Sequence, residues 1–374
     1  MRRTVGMLLA AAGFLTAAGV VMVLSASSVY ACSTGSCFVF FERQSAYAVV
    51  GIVALLVTAR LPYAAWRRVA VPFLLAVVVL LLLVMHPTTG VEAQGSARWI
   101  ALGPMTIQPS ELAKLVVVVF AAAVLSRPRT ANAELWHTAL PLIAGVGIVA
   151  ALVFLQPDLG TTIVIVGATA ALLFAAGVRL RVLAIVGAAL AAVSLALLKP
   201  YQWARITAFL HPERNRQNTA YQLYQSLIAL GSGGWFGVGL GASRQKWMYV
   251  PNAHTDFIFS ILGEELGLAG ELVVLTAFGT LLYAGVRVAA KAADPFGRLL
   301  ASGIVAWFGI QIVVNLGGVT GLLPITGVPL PFLSYGGSSL VVSLAAVGVL
   351  MNVAQEPARA RRRARRAAVR GRAA

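Results

Sequence analysis

The sequence predicts an all-α membrane protein: ten transmembrane helices, with one large extracytoplasmic loop between the seventh and the eighth. Three observations carry this. Of 374 residues 59% are hydrophobic and 11% charged, against about a quarter charged in a soluble domain. Apolar stretches recur from end to end, and about 20 helical residues cross a hydrocarbon core of ~30 Å. Basic residues also gather in alternate connections. No polar segment other than 199–256 is long enough to build a core of its own, which argues against a nucleic-acid enzyme or a secreted disulfide scaffold.

In chain order, apolar runs between Gly, Pro and charged punctuation give spans at 7–29, 46–58, 69–85, 112–125, 136–155, 161–178, 182–198, 257–286, 299–323 and 334–353. Arg2 and Arg3 before the first run resemble a secretory signal, but the run exceeds the 7 to 15 apolar residues of a signal core. Most basic residues fall on one side if both termini are cytoplasmic, including Arg60, Arg67, Arg68, Arg179 and Arg181. Cys32 and Cys37 then share the first outside connection, where an oxidising compartment permits a local disulfide; a metal site lacks further ligands nearby. No internal repeat is evident, so the inverted-repeat sign of many transporters is missing. Residues 1–357 form one polytopic domain. Eight Arg in 358–374 supply much of the +17 net charge, in a tail expected to be disordered and to rest on anionic lipid or a cytoplasmic partner.

The few polar residues near spans are informative, because a charge at membrane depth is costly unless paired. In Gln108-Pro109-Ser110-Glu111-Leu112-Ala113-Lys114, Pro109 suits a first helical turn and Glu111 meets the positive end of the helix dipole. Glu111 and Lys114, three apart, share a face and can pair. A helix start explains Glu111, whereas Lys114 one turn deeper points to holding a phosphate or positioning a carboxylate. In Gln156-Pro157-Asp158-Leu159-Gly160-Thr161-Thr162, Asp158 suits an N-cap and also sets a carboxylate at the mouth of the bundle.

The loop 199–256 is basic and aromatic. Lys199, Arg205, Arg214, Arg216, Arg244 and Lys246 face only Glu213 and Asp256, among Trp203, Tyr221, Trp235, Trp247 and Tyr249. Ala220, Leu223, Tyr224, Leu227 and Ile228 follow helical spacing with Gln222, Gln225 and Ser226 turned away, as in a helix lying in the membrane interface. Such a loop suits an anionic lipid headgroup or pyrophosphate; a structured lid is the plainer alternative. Gly237-Val238-Gly239-Leu240-Gly241-Ala242 fits a lone dinucleotide-type pattern, but no strand and βαβ unit surround it. Asp256, at the start of the eighth span and close in sequence to His254 and Lys246, is either a helix cap or a general base made more basic by burial.

Together these segments resemble the SEDS family of peptidoglycan glycan-strand polymerases, which comprises FtsW, RodA and SpoVE. The residues that carry the resemblance are those around Glu111 and Asp158, Gln225-Ser226-Leu227-Ile228-Ala229-Leu230-Gly231-Ser232-Gly233-Gly234, His254-Thr255-Asp256-Phe257-Ile258-Phe259, and Pro329-Leu330-Pro331-Phe332-Leu333-Ser334-Tyr335-Gly336-Gly337-Ser338-Ser339, in family order along nearly the whole chain. Ala253, the run Gly263-Glu264-Glu265-Leu266-Gly267 and the run from Gly318 to Pro324 look more like the division branch than the elongation branch; the sporulation branch stays open.

The resemblance implies polymerisation of lipid II in the bacterial cytoplasmic membrane at the division site. An acceptor hydroxyl attacks the donor's anomeric carbon with inversion, and undecaprenyl pyrophosphate leaves. It implies that Asp256 is catalytic and that Glu111, Lys114 and Asp158 line a central cavity. Arg205, Arg244, Lys246 and His254 are the further substrate-binding candidates, the cations for the leaving pyrophosphate. The implied partners are a class B penicillin-binding protein, which is a transpeptidase, and other divisome proteins. The resemblance names no cofactor, although a divalent cation such as Mg2+ suits a pyrophosphate substrate. The alternative from another class is a lipid II flippase that uses the same Glu, Lys and Asp as a headgroup path.

Overall fold

In the computed structural model of the chain, the described residues are 1–33, 35–86, 90–93, 96–103, 105–127, 139–198, 200–210 and 220–371. The helices are α1 (Arg2–Ser33), α2 (Val39–Arg60), α3 (Tyr63–Val84), α4 (Pro109–Leu125), α5 (Leu140–Leu155), α6 (Leu159–Ala175), α7 (Leu180–Ala196), α8 (Pro200–Leu210), α9 (Tyr221–Ser232), α10 (Ile258–Ala290), α11 (Pro295–Val319) and α12 (Gly337–Gly371). A helix underlies each expected span. Among the described residues six helices are long and apolar enough to cross a membrane by length and composition, namely α1, α2, α3, α10, α11 and the 337–356 part of α12; α5, α6 and α7 are shorter apolar helices. The expected start of the fifth span at Trp136 lies outside the described residues.

The bundle closes around α4. All of its residues except Leu112 are buried, and α3, α5, α6, α11 and α12 pack around it. Its run of Val and Ala presents small side chains on every face, so several helices approach it at once. α2 lies along α12, where Thr58 Oγ1 donates to the Ala345 carbonyl at 2.9 Å. α1 packs on α10 and buries Leu8, Leu15, Met22 and Val23. α7 rests on α6 and buries none of its residues. Cys32 and Cys37 are joined by a disulfide in the connection from α1 to α2.

Three features depart from the expected picture. A three-stranded antiparallel sheet, β1 (Gly90–Ala93), β2 (Ser96–Leu102) and β3 (Met105–Ile107), fills what reads as a plain connection between the third and fourth spans. Its strands are short and its hydrophobic pattern weak, so periodicity alone does not reveal them. The arginine-rich stretch continues α12 as helix to Gly371 rather than standing apart from it; Ala and Arg are both good helix formers. In α9 the face packed on α10 and α11 carries Leu223, Ser226 and Ala229, while Tyr224, Leu227 and Ile228 are exposed. Ser226, expected to face away, is fully buried because its hydroxyl meets Ser260 Oγ at 2.6 Å and the Val319 carbonyl at 2.7 Å. Lys199, Glu213, Arg214 and Arg216 lie outside the described residues.

α10 is two helices joined at a kink. Gly267 has φ 63° and ψ −168°, a conformation open chiefly to glycine. The segment after α9 folds back onto this kink: Val238 and Gly239 donate to the carbonyls of Glu264 and Glu265 at 3.0 Å, and Leu268 donates to Gly234 at 2.9 Å. A Cβ at position 267 would run into the backbone of Phe236 and Gly237. Gly267→Ala is therefore expected to cost more than about 1 kcal/mol, read as a lower melting temperature in detergent. Gly279→Ala, with nothing within 4 Å, serves as the neutral control.

Candidate functional site

Pro109 opens α4 at its first turn, and one turn on the helix presents Glu111 and Lys114 to the interior, both 1% exposed. Lys114 Nζ donates to Glu111 Oε1 at 2.8 Å and sits equally close to Oε2, which receives the charge without an aligned N–H. The ammonium also donates to Gln311 Oε1 at 2.9 Å and lies 5.5 Å from the centre of the Trp307 ring. Gln311 is itself fixed, accepting from Trp307 Nε1 at 2.6 Å and donating to the Pro329 carbonyl at 2.8 Å. A buried pair survives this deep only with its remaining hydrogen bonds supplied, and α11 supplies them.

Asp158 caps α6. Its Oδ1 accepts from the Thr161 N–H at 3.0 Å, and its Oδ2 accepts from Ser110 Oγ at 3.2 Å, which ties the α6 start to the α4 start. The cap reading is thus realised, on a carboxylate 7% exposed that faces the same region as Glu111.

Asp256 precedes α10 and does not cap it. The N-cap residue is Phe257, and no side chain closes that end. The carboxyl is half-buried. It lies beside Gly327, where a Cβ would sit 3.4 Å from Asp256 Oδ2 and 3.9 Å from Arg205 Nη1; a glycine there lets carboxylate and guanidinium share one wall. A small cavity opens at this wall, lined by Asp256, Asn315, Val319, Thr326 and Gly327 among others. Arg98, from β2, is pinned across the α5–α6 break, donating to the carbonyls of Gln156 at 3.1 Å and Pro157 at 2.7 Å. Burial pushes the Asp256 carboxyl up to about 6; the Asp158 charge adds to the rise, while Arg205 and Arg98 oppose it. If Asp256 must accept a proton, it does so only when ionised. Turnover is then expected to fall as pH drops through about 6 and to level off above it, a limb that an initial-rate pH profile resolves.

His254, Arg244 and Lys246 have other partners. His254 sits among aromatic rings, with Phe40 at 4.8 Å, Tyr335 at 5.6 Å and Tyr30 stacked at 6.0 Å. Burial lowers its pKa to about 4, so at neutral pH it carries no positive charge to offer a phosphate. Lys246 is buried, donating to the Gly241 carbonyl at 2.6 Å and lying 3.5 Å from Glu265 Oε1. Glu265 accepts from Ser25 Oγ at 2.6 Å, while Glu264 accepts from Ser243 Oγ and from the Arg244 N–H at 3.0 Å. The Arg244 side chain is exposed. This cluster latches the returning loop to α1 and α10 at Glu264 and Glu265, eight or nine residues beyond Asp256, about 12 Å along a helix. Lys246 is close to Asp256 in sequence and was expected as a cation for the leaving pyrophosphate, yet in this structure its ammonium is engaged by the Gly241 carbonyl and Glu265.

The structure thus brings Glu111, Lys114, Asp158, Asp256 and Arg205 to one end of the bundle. Sequence reasoning missed Arg98, Gln311, Asn315 and Gly327. The sign for two of them was available: Gln311 and Asn315 are amides four apart, hence on one face of an otherwise apolar span. Arg98 had none, since its place depends on the unforeseen sheet. Among the described residues no group of three or more His, Cys, Asp or Glu side chains is placed to hold a metal ion.

A model of the FtsW/RodA/SpoVE family, described as cell cycle protein, matches residues 6–359. The chain is 46% identical over 343 residues to a "Probable peptidoglycan glycosyltransferase FtsW" of Geobacter metallireducens, covering 91% of each. It is 41% identical over 341 residues to the stage V sporulation protein E of Bacillus subtilis, covering 90% of this chain and 93% of that one. Among solved structures, a chain from a study of how a peptidoglycan synthase complex coordinates polymerization and crosslinking is similar with a TM-score of 0.77 and 32% identity, covering 93% of this chain and 97% of that one. The rod shape determining protein RodA of Thermus thermophilus is similar with a TM-score of 0.69 and 30% identity, covering 93% and 96%.

Proposed function

The chain belongs to the FtsW/RodA/SpoVE family of cell cycle proteins, and on that premise we propose that it is a peptidoglycan glycosyltransferase in which Asp256 is the general base. The observation that carries the role is a half-buried carboxyl not used as a helix cap, raised toward neutrality, beside Arg205 at the wall of a cavity. Such a group takes the proton from an acceptor sugar hydroxyl as that oxygen attacks the anomeric carbon of the lipid-linked donor. The bond from that carbon to the pyrophosphate oxygen breaks, with inversion, and Arg205 and Arg98 offset the charge that develops on the departing pyrophosphate. The Glu111–Lys114 pair and Asp158 form the polar floor beneath. A pyrophosphate-bound Mg2+ is compatible with this arrangement but would take most of its ligands from substrate oxygens, since the described residues offer no metal cluster.

In this reading the substrate is lipid II, the Asp256 end of the bundle faces outward, and both termini are cytoplasmic at the division site. A class B penicillin-binding protein supplies the crosslinking activity, alongside other divisome proteins. Support for that partner comes from the similar chain, which belongs to a complex that joins polymerization to crosslinking. The test is polymerisation of purified lipid II by the full chain, with and without the partner, run beside lipid II translocation in vesicles. Polymer is the expected product; translocation without polymer would replace the reading with a flippase.

A further inference from the structure

Asn315 lies near the end of α11, 4% exposed, and its carboxamide is divided between two tasks. Nδ2 donates both hydrogens, to the Asp256 carbonyl at 2.9 Å and to the Val328 carbonyl at 2.8 Å. Two carbonyl acceptors fix which atom is nitrogen, because a carboxamide oxygen in that place would face two other oxygens. One donor group therefore clamps the backbone of the base to the segment after Gly327, the two strips of chain that bound the cavity. The oxygen is left over. Asn315 Oδ1 is buried without a hydrogen-bond partner among the described residues, on a side chain that lines the same cavity as Asp256. A buried acceptor with no donor is unfavourable, and the clamp by itself needs only the Nδ2 hydrogens, so the unmet oxygen calls for a donor from outside the protein. The turn between α11 and α12 that carries the cavity's Gly327 is held by positive φ at Gly321 and Gly327, 74° and 75°.

We infer that Asn315 is a substrate-reading and positioning residue of the transfer site. Its Nδ2 holds Asp256 in register, and its Oδ1 accepts a hydrogen bond from a donor group on the bound glycan, either a sugar hydroxyl or an acetamido N–H. The inference rests on the assignment of Asp256 as base. It adds a specificity element that the carboxylates lack, since an amide oxygen reads a neutral donor without attracting cations.

The experiment measures kcat and KM for lipid II polymerisation by the full chain, with melting temperature recorded for each variant. Asn315→Leu is expected to lower kcat at least tenfold, because the base loses its clamp, and to raise KM several-fold, with the melting temperature within a few degrees of wild type. Asn315→Asp, which sets an oxygen against the two carbonyls, is expected to lose kcat likewise. A lipid II analogue with acetoxy in place of acetamido groups separates the donors. If the N–H is read, wild type discriminates against the analogue and Asn315→Leu does not. If a hydroxyl is read, Asn315→Leu raises KM equally for both substrates. Rates within twofold of wild type in both variants would overturn the inference, as would a loss of folded protein with kcat per folded molecule unchanged. Asp256→Ala that still polymerises would instead overturn the base assignment, so the two failures are distinguishable.

Discussion

Asp256→Ala is expected to abolish lipid II polymerisation while leaving lipid II binding and the folded bundle in place. General-base catalysis contributes roughly 10²- to 10⁴-fold, and the two carboxylates described at the same end of the bundle are already engaged. Asp158 is occupied by the Thr161 N–H and Ser110 Oγ, and Glu111 by Lys114. The substitution should not unfold the chain. The Asp256 side chain is not a cap, and its segment is held through the backbone, by Asn315 Nδ2 on the Asp256 carbonyl and by the Tyr335 N–H on the His254 carbonyl. The measurement is polymer length and yield with purified lipid II, beside a binding isotherm on the same preparation. Polymer at the wild-type rate would remove Asp256 from the chemistry.

Lys114→Met is expected to have the largest effect on stability. It would leave the Glu111 carboxylate buried at 1% exposure without its counter-charge and take a donor from Gln311. Breaking a buried pair from one side typically costs about 3–5 kcal/mol, whereas removing both charges is often close to neutral. The double variant Glu111→Gln with Lys114→Met should therefore recover most of the melting temperature lost by the single one. Polymerisation separates structure from chemistry. A double variant that is stable but inactive assigns the pair to the site, and one that is stable and active assigns it to helix packing.

How much of this was legible in the sequence varies by element. The apolar helices are legible because a membrane imposes length and apolarity on each one that crosses it, and a helix underlies each expected span. Asp158 as a cap and Pro109 at a first turn were readable because both are local rules, obeyed within four residues. Lys114 could be placed on the Glu111 face, but not beside Gln311, whose helix lies some 200 residues on. What the sequence does not show is of long range: the aromatic neighbours of His254 and the Glu264–Glu265 latch that holds Lys246 become visible only with α1, α2 and the returning loop in place. Ser226 failed for a related reason. Amphipathic spacing says which face is polar, but a hydroxyl that finds a carbonyl partner on a neighbouring helix can be buried beside an apolar residue such as Leu223.

The burial of α4 bears on how the chain is made. A helix with every residue but Leu112 covered by protein has no surface of its own to give to lipid when it leaves the ribosome. It also carries Lys114, a residue that opposes insertion by about 2.5–3.5 kcal/mol at a helix centre. Glu111 on the same helix is its counter-charge, but the Gln311 oxygen that completes its hydrogen bonds exists only after α11 has been synthesised. Membrane integration of this segment should therefore be a collective event, with α3 and the nascent α4 held together at the insertion machinery until later helices arrive. Truncated chains that stop before α11 are accordingly expected to leave α4 accessible to labelling from the aqueous side.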